Sequence, residues 1–291
     1  MPMGIRLARR LGRLAIASLH AELACDPKPG LVTPSSSGSH TDMDAATFLR
    51  SLFALRGYFV DMAGLSQEGD DFAPLRARGI RAEAAMLQAT GGINTHRGAI
   101  FNLGLLVAEA ARLEAARGRP ARAEQVCLSV TRWRSALLQA PLDPASPGQQ
   151  ARRRHGVPGV REHAADGMPL LRGIGVPVLR ECQARGLAPG VAHIQTLMHL
   201  VAVTDDLNLL HRGGLSGLRF AQAEARRFVA AGGVDQRGWR ARLQSIGRAF
   251  QARRLSPGGS ADLLACSIFL LRQERDEPAT ADAAVPAGAR A

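Results

Sequence analysis

The sequence predicts an all-α fold, a single multi-helix bundle of about ten helices joined by glycine-rich loops. Three observations carry that prediction. Apolar residues recur at three- and four-residue spacing along most of the 291 residues. No stretch keeps the period-two alternation of a half-buried strand. Glycine and proline fall where the helical periods stop, so the breaks read as connections between helices. With 46% apolar residues the chain can bury a core, and its length suits one catalytic-sized domain, taken as residues 1–273.

The elements follow in order. Residues 4–24 place Leu7, Leu11, Leu14, Ala15, Ser18 and Leu19 on one stripe, with Arg6, Arg9, Arg10 and Arg13 off it, and Asp26-Pro27 ends the helix. Asp44 is a candidate N-cap for a second helix carrying Phe48, Leu52, Leu55, Phe59 and Met62 and closing at Gly64. A third spans 74–90 and stops at Gly91-Gly92; a fourth begins after Thr95, a good N-cap, and carries Ile100, Leu103, Val107 and Ala111 to Gly118. A fifth covers 121–139. Residues 141–160, with four prolines and three glycines, read as a long loop inside one bundle. Helices near 168–185, 189–210, 215–231, 236–254 and 259–273 complete the fold, and the Ala-, Pro- and Asp-rich tail 274–291 is expected to be disordered.

Composition removes several function classes. Lys and Arg total 37 against 25 Asp and Glu, a net charge of +12, yet Lys28 is the lone lysine and the arginines are spread without a dense basic helix. That spread argues against a nucleic-acid-binding protein, and the bias toward Arg is mainly compositional. Aromatic residues at 4% argue against base-stacking platforms. No run of about 18 apolar residues predicts a membrane span. Arg13, His20 and Glu22 interrupt what would be the apolar core of a signal peptide. Cys25, Cys127, Cys182 and Cys266 lie far apart without metal spacing and read as buried thiols of a cytoplasmic protein.

Four segments break the grammar of a bundle by joining glycine to His, Asp, Asn or a cation. In 26–44, prolines flank Lys28 and hold it in a limited region, and Asp42 and Asp44 can share a hard cation such as Mg²⁺ unless Asp44 serves only as a cap. In 90–104, Gly98 and Gly104 keep the early turns of a helix open to close approach. Its free N–H groups beside Arg97 make either an anion site or a tight helix corner. Glu83 shares a face with Thr90 just upstream. The segment 155–168 offers His155, Arg161, Glu162 and His163 around two glycines. In 204–214, a single helical run would put Asp205, Asn208 and Arg212 on one line with Val201, as an internal ion pair or a metal and phosphate site.

Together, PKPGLV (27–32), GSHTDMD (38–44), TGGINTHRGAIFNLG (90–104), HGVPGVRE (155–162), DDLNLLHRGG (205–214) and PGGSADLLA (257–265) resemble the triphosphoribosyl-dephospho-coenzyme A synthase family. Its members make the prosthetic-group precursor for citrate lyase and malonate decarboxylase, and LHRGGLSGLRFAQA looks more like the malonate decarboxylase branch. Leu207 and Met168 depart from the family's usual small hydroxyl and aromatic residues.

The resemblance implies that ATP and 3′-dephospho-CoA give 2′-(5″-triphosphoribosyl)-3′-dephospho-CoA and adenine. Breaking an N-glycosidic bond passes through an oxocarbenium-like state, which a nearby carboxylate favours, and the incoming hydroxyl needs a base. His40, Asp42, Asp44, Glu83 and His96 are the candidates for that chemistry. Lys28, Asn94, Thr95, Arg97, Asn208, His211 and Arg212 are candidates for holding ATP and its phosphates, and Asp205 and Asp206 for Mg²⁺. The product would pass to a carrier-protein transferase; neither nucleic acid nor membrane is an expected partner. The main rival is an all-α, Mg²⁺-dependent nucleotide hydrolase using the same aspartates.

Overall fold

A computed structural model describes residues 3–69, 71–140 and 147–275. Among them the regular elements are helical and no strand occurs, as the apolar periods predict. The main helices are α1 (Met3–Leu23), α2 (Ala45–Glu68), α3 (Phe72–Thr90), α4 (Arg97–Arg117), α5 (Ala123–Ser129), α6 (Arg134–Gln139), α7 (Pro147–His155), α8 (Val160–Ala165), α9 (Val176–Ala184), α10 (Pro189–Val203), α11 (Leu207–Ala230), α12 (Trp239–Ala252) and α13 (Gly258–Glu274).

The two central helices are α4 and α13, which pack on each other and are buried on almost every side. A helix apolar all round belongs in the middle of a bundle. On one flank α1, α2 and α3 cover α4; on the other α9, α10 and α11 gather around α13. The amphipathic α1 buries Leu11, Ala15, Ser18 and Leu19 and turns Arg6, Arg9 and Arg13 outward. In α2 the expected face is the buried one, with Leu52, Leu55, Phe59 and Met62 in the core. Glycines permit the closest crossings: a Cβ on Gly104 would meet the Tyr58 hydroxyl at 2.1 Å.

Several boundaries differ from the sequence reading. Helix α2 runs through Gly64 to Glu68. Thr95 is not the N-cap of α4. His96 stands at that position without a capping hydrogen bond, while Asn94 Oδ1 accepts the N–H of Arg97 at 3.1 Å. The stretch expected as a fifth helix is broken into α5, a 3-10 turn at Val130–Trp133 and α6. Within the expected loop 141–160, residues 147–155 form α7, and residues 141–146 lie outside the described residues. The expected helix 189–210 ends at Val203. Thr204 is extended (φ −75°, ψ 130°), and Asp206 starts α11 as its N-cap. The tail from 276 also lies outside the described residues.

Candidate active site

Helix ends, together with one face of α3 and part of α2, enclose one cavity of about 1210 Å³. It is walled by the end of α1 and the loop after it, by α2, α3 and the start of α4, by α8, and by the starts of α11 and α13. Of the fourteen residues singled out in the sequence, thirteen line it: Lys28, His40, Asp42, Glu83, Asn94, Thr95, His96, Arg97, Asp205, Asp206, Asn208, His211 and Arg212. Asp44 does not. Its exposed carboxylate accepts the N–H and the hydroxyl of Thr47, both at 2.8 Å, and those bonds hold its pKa below the usual range. It is the cap of α2.

The loop 26–44 contributes two side chains that are already engaged. The ammonium of Lys28 donates to the backbone oxygen of Glu22 at 2.7 Å and to Glu22 Oε1 at 2.5 Å, in a pair almost closed to solvent. The expectation of an ammonium offered freely to phosphate is therefore narrowed, since two of its three donors serve Glu22. His40 is fixed at both ring nitrogens. Arg212, which can only donate, bonds to Nδ1 at 3.0 Å, so Nδ1 accepts and Nε2 carries the proton toward Ser256 Oγ at 2.9 Å. Burial and the Arg212 charge lower the His40 pKa against the opposing pull of Asp42, whose Oδ1 lies 3.5 Å from Nδ1. Arg212 also bonds the backbone oxygens of Ser39 and Arg254.

At the start of α4, His96 is 3% exposed and its Nδ1 meets Ser51 Oγ at 2.7 Å. Burial, and then the Lys28 charge, push its pKa down to about 3, so the ring is neutral. Its Nε2, with Thr95 Oγ1, Arg97 Nε and Asn102 Oδ1, is buried without a partner. Buried polar atoms left this way are costly unless something else meets them. Arg97 pairs with Glu83 across the corner.

The starts of α11 and α13 interlock through Asp206, which is 1% exposed. Its Oδ1 accepts the N–H groups of Asn208 (2.9 Å) and Leu209 (3.3 Å), and its Oδ2 accepts the N–H and hydroxyl of Ser260 at 2.8 and 3.0 Å. Gly258 and Gly259 admit this contact, because side chains there would strike Asn208 and crowd Asp206. The single-helix line from Val201 to Arg212 is thus replaced by a break, with Asp206 turned inward and Asp205 outward. As a pair these aspartates do not fit a metal. Both oxygens of Asp206 are taken, whereas Asp205 receives one contact from Gln222 at 3.5 Å. Among the described residues no group of three or more His, Cys, Asp or Glu converges as a ligand set.

The segment PGGSADLLA holds an acid, Asp262, that no spacing in the sequence singles out. Asp262, the fifth residue of α13, faces the cavity against Gly98, where a Cβ would lie 2.0 Å from Asp262 Oδ2. The N–H of Ala99 bonds to it, so the anion expected at the α4 start is met first by the protein's own carboxyl. Burial and the charges of Glu22 and Asp206 raise its pKa well above the carboxylate range. A second cluster lies toward α8, where Arg161 of the segment 155–168 is joined by Arg76, which the sequence did not single out. Arg76 and Arg161 line the cavity there, and Arg161 is depressed by burial and by the charges of Arg76 and Arg152, with Glu162 opposing. Although the chain carries +12, the cavity is lined by eight Asp and Glu against five Lys and Arg.

Comparison with known proteins matches residues 8–280 to the ATP:dephospho-CoA triphosphoribosyl transferase family. Among relatives, the chain is 39% identical over 264 residues to a 2-(5″-triphosphoribosyl)-3′-dephosphocoenzyme-A synthase of Klebsiella pneumoniae, covering 87% of each chain. Probable synthases of the same description from Azotobacter vinelandii (41% over 274 residues) and Acinetobacter calcoaceticus (37% over 278 residues) match over 92% of both chains. No solved structure matches. Among the described residues no helix is long and apolar enough to cross a membrane.

Proposed function

The chain belongs to the ATP:dephospho-CoA triphosphoribosyl transferase family and is a transferase; from that premise we propose that it moves the 5-triphosphoribosyl group of ATP onto the 2′-hydroxyl of 3′-dephospho-CoA, releasing adenine. We further read its product as the prosthetic-group precursor of a malonate decarboxylase carrier protein, on the likeness of residues 210–223 to that branch. One observation carries the reading. Segments as far apart in sequence as 26–44 and 257–265 meet on a single cavity, whose volume of about 1210 Å³ exceeds what one small ligand needs and suits two nucleotides.

The residues support a division of labour. The phosphates of the two substrates lie against Arg97, Arg212, Arg76 and Arg161, forked donors suited to phosphate oxygens. Mg²⁺ carried in on the phosphates of ATP would offset the carboxylate excess of the cavity, and Asp205, met only by Gln222, is the carboxylate that would hold it. Mg²⁺ needs only one or two protein carboxylates when phosphates supply other oxygens. Asp42 takes the proton of the attacking hydroxyl, and the neutral His40 orients that end of the site through Ser256 and Arg212.

The test is a product analysis. Purified protein with ATP, Mg²⁺ and dephospho-CoA is expected to release adenine and form a heavier CoA derivative, both seen by chromatography with mass detection. Inorganic phosphate without adenine would make the chain a nucleotide hydrolase instead.

A further inference from the structure

Resting on that reading, we propose that the leaving adenine is seated against the start of α4 and that Asp262 is the acid that protonates it. Three carboxyl groups, Glu22, Asp206 and Asp262, share the inner wall. Glu22 has Lys28, bound twice. Asp206 has four N–H and O–H donors. Asp262 has the N–H of Ala99 and faces the other two acids. Neighbouring carboxyls whose surroundings differ this much divide the protons between them, and the proton goes to the one with the least support. Burial acts in the same direction. Around it, Cys266 one turn along α13 feels the Asp262 charge, and no cation is among the described groups that act on Asp262, Lys28 being committed to Glu22.

The same wall has the polar atoms that a purine edge requires. His96 Nε2 and Asn102 Oδ1 belong to side chains that are each 3% exposed, both residues line the cavity, and neither atom has a partner in the protein. Asn102 Oδ1 can only accept, as from an exocyclic amine. His96 Nε2 donates or accepts according to the tautomer that Ser51 sets. Gly98 brings the Asp262 carboxyl to this edge, since any side chain there would push it away.

The step balances. As the ribose C1–N9 bond breaks, its electron pair stays with the base, and the Asp262 proton goes to a ring nitrogen, so adenine departs neutral. The 2′-oxygen of dephospho-CoA forms the new bond to C1, and its proton passes to Asp42. Water exchange then returns one proton to Asp262 and removes one from Asp42, without oxidant or further reactant.

The test uses Asp262→Asn, equal in shape and unable to give a proton, beside Asp262→Glu and wild type. Wild-type release of adenine with formation of the CoA adduct tests the underlying transfer reaction; its absence defeats that reading and this one together. Given turnover, Asp262→Asn is expected to lower kcat by about 10²–10⁴-fold with ATP affinity within about threefold, and Asp262→Glu to recover part of the loss. Wild-type turnover falls as pH rises through the Asp262 titration, and Asp262→Asn lacks that limb. A readout without turnover is thermal stability. The folded chain keeps a proton that an unfolded Asp gives up above about pH 3.9. Wild type therefore loses stability relative to Asp262→Asn as pH rises, and the Tm gap widens. Free adenine is expected to compete with ATP and not with dephospho-CoA. A kcat within tenfold of wild type, an unchanged pH limb or Tm gap, a loss of ATP affinity matching the loss of rate, or competition with dephospho-CoA would each overturn the proposal.

Discussion

Asp205 and Asp206 are neighbours in sequence and opposites in structure. Asp206 is 1% exposed and takes four hydrogen bonds from two helix starts, whereas Asp205 is exposed and receives one long contact from Gln222. The contrast runs through the whole cavity. Its inner wall is built from backbone N–H groups, glycines and buried carboxyls, while its rim carries an Arg and acid pair, Arg97 with Glu83. A buried polar group is costly when its partners are removed, and an exposed pair contributes little because water replaces it. Substitutions at the inner wall should therefore register first as lost stability or lost rate, and those at the rim as altered substrate affinity.

The largest expected effect breaks the interlock. Asp206→Ala strands the N–H groups of Asn208, Leu209 and Ser260 and the Ser260 hydroxyl. We expect a loss of about 3–5 kcal/mol in urea unfolding, the range for removing one side of a buried charged network. Asp205→Ala should stay within about 0.5 kcal/mol, as surface substitutions do, and instead weaken the dependence of turnover on Mg²⁺. If the two variants unfold alike, the distinction between wall and rim is void.

A smaller effect tests the glycines. In an exposed helix Gly→Ala stabilises by up to about 1 kcal/mol, which is the expectation for Gly57 in α2, where nothing lies within 4 Å of the added Cβ. Gly98→Ala should reverse the sign and cost about 1–3 kcal/mol, because its Cβ would lie 2.0 Å from Asp262 Oδ2. It should also slow turnover by displacing that carboxyl. Equal Tm shifts for the two variants would show that the wall has room to yield.

The helices themselves were legible because each buries a stripe set by its own residues, as Leu52, Leu55, Phe59 and Met62 do in α2. So were the segments that form the cavity, since glycine beside His and Asp does not suit a plain helix. The break at Thr204 was not. Leu200 and Val201 before it and Leu209 and Leu210 after it keep helical spacing, and only the Thr-Asp-Asp capping signal marks the stop. Asp262 was hidden for a different reason. On its own turn it looks like an ordinary acid near a helix start, and its character comes from Gly98, Glu22 and Asp206, which arrive from three other elements. Lys28 shows the same limit, for proline spacing restricts the backbone but cannot reveal that Glu22 holds the ammonium.

The rim supplies the smallest change in stability and a decisive one in kinetics. Glu83 and Arg97 pair with side chains 31% and 33% exposed. Exposed and half-exposed pairs contribute about 0–1 kcal/mol, so Glu83→Gln should move urea stability by less than about 0.5 kcal/mol. The sequence made Glu83 a candidate for acid–base work, yet its carboxylate is engaged by a guanidinium that itself faces the cavity. A group that only steers Arg97 affects how phosphate is held. Glu83→Gln should then change KM for ATP while kcat stays within about threefold, since Arg97 keeps its charge and loses only its tether. A proton-transferring Glu83 requires the opposite, a kcat loss of about 10²–10⁴-fold at nearly constant KM. That second outcome, paired with a weak effect of Asp262→Asn, would move the chemistry from the inner wall to the rim.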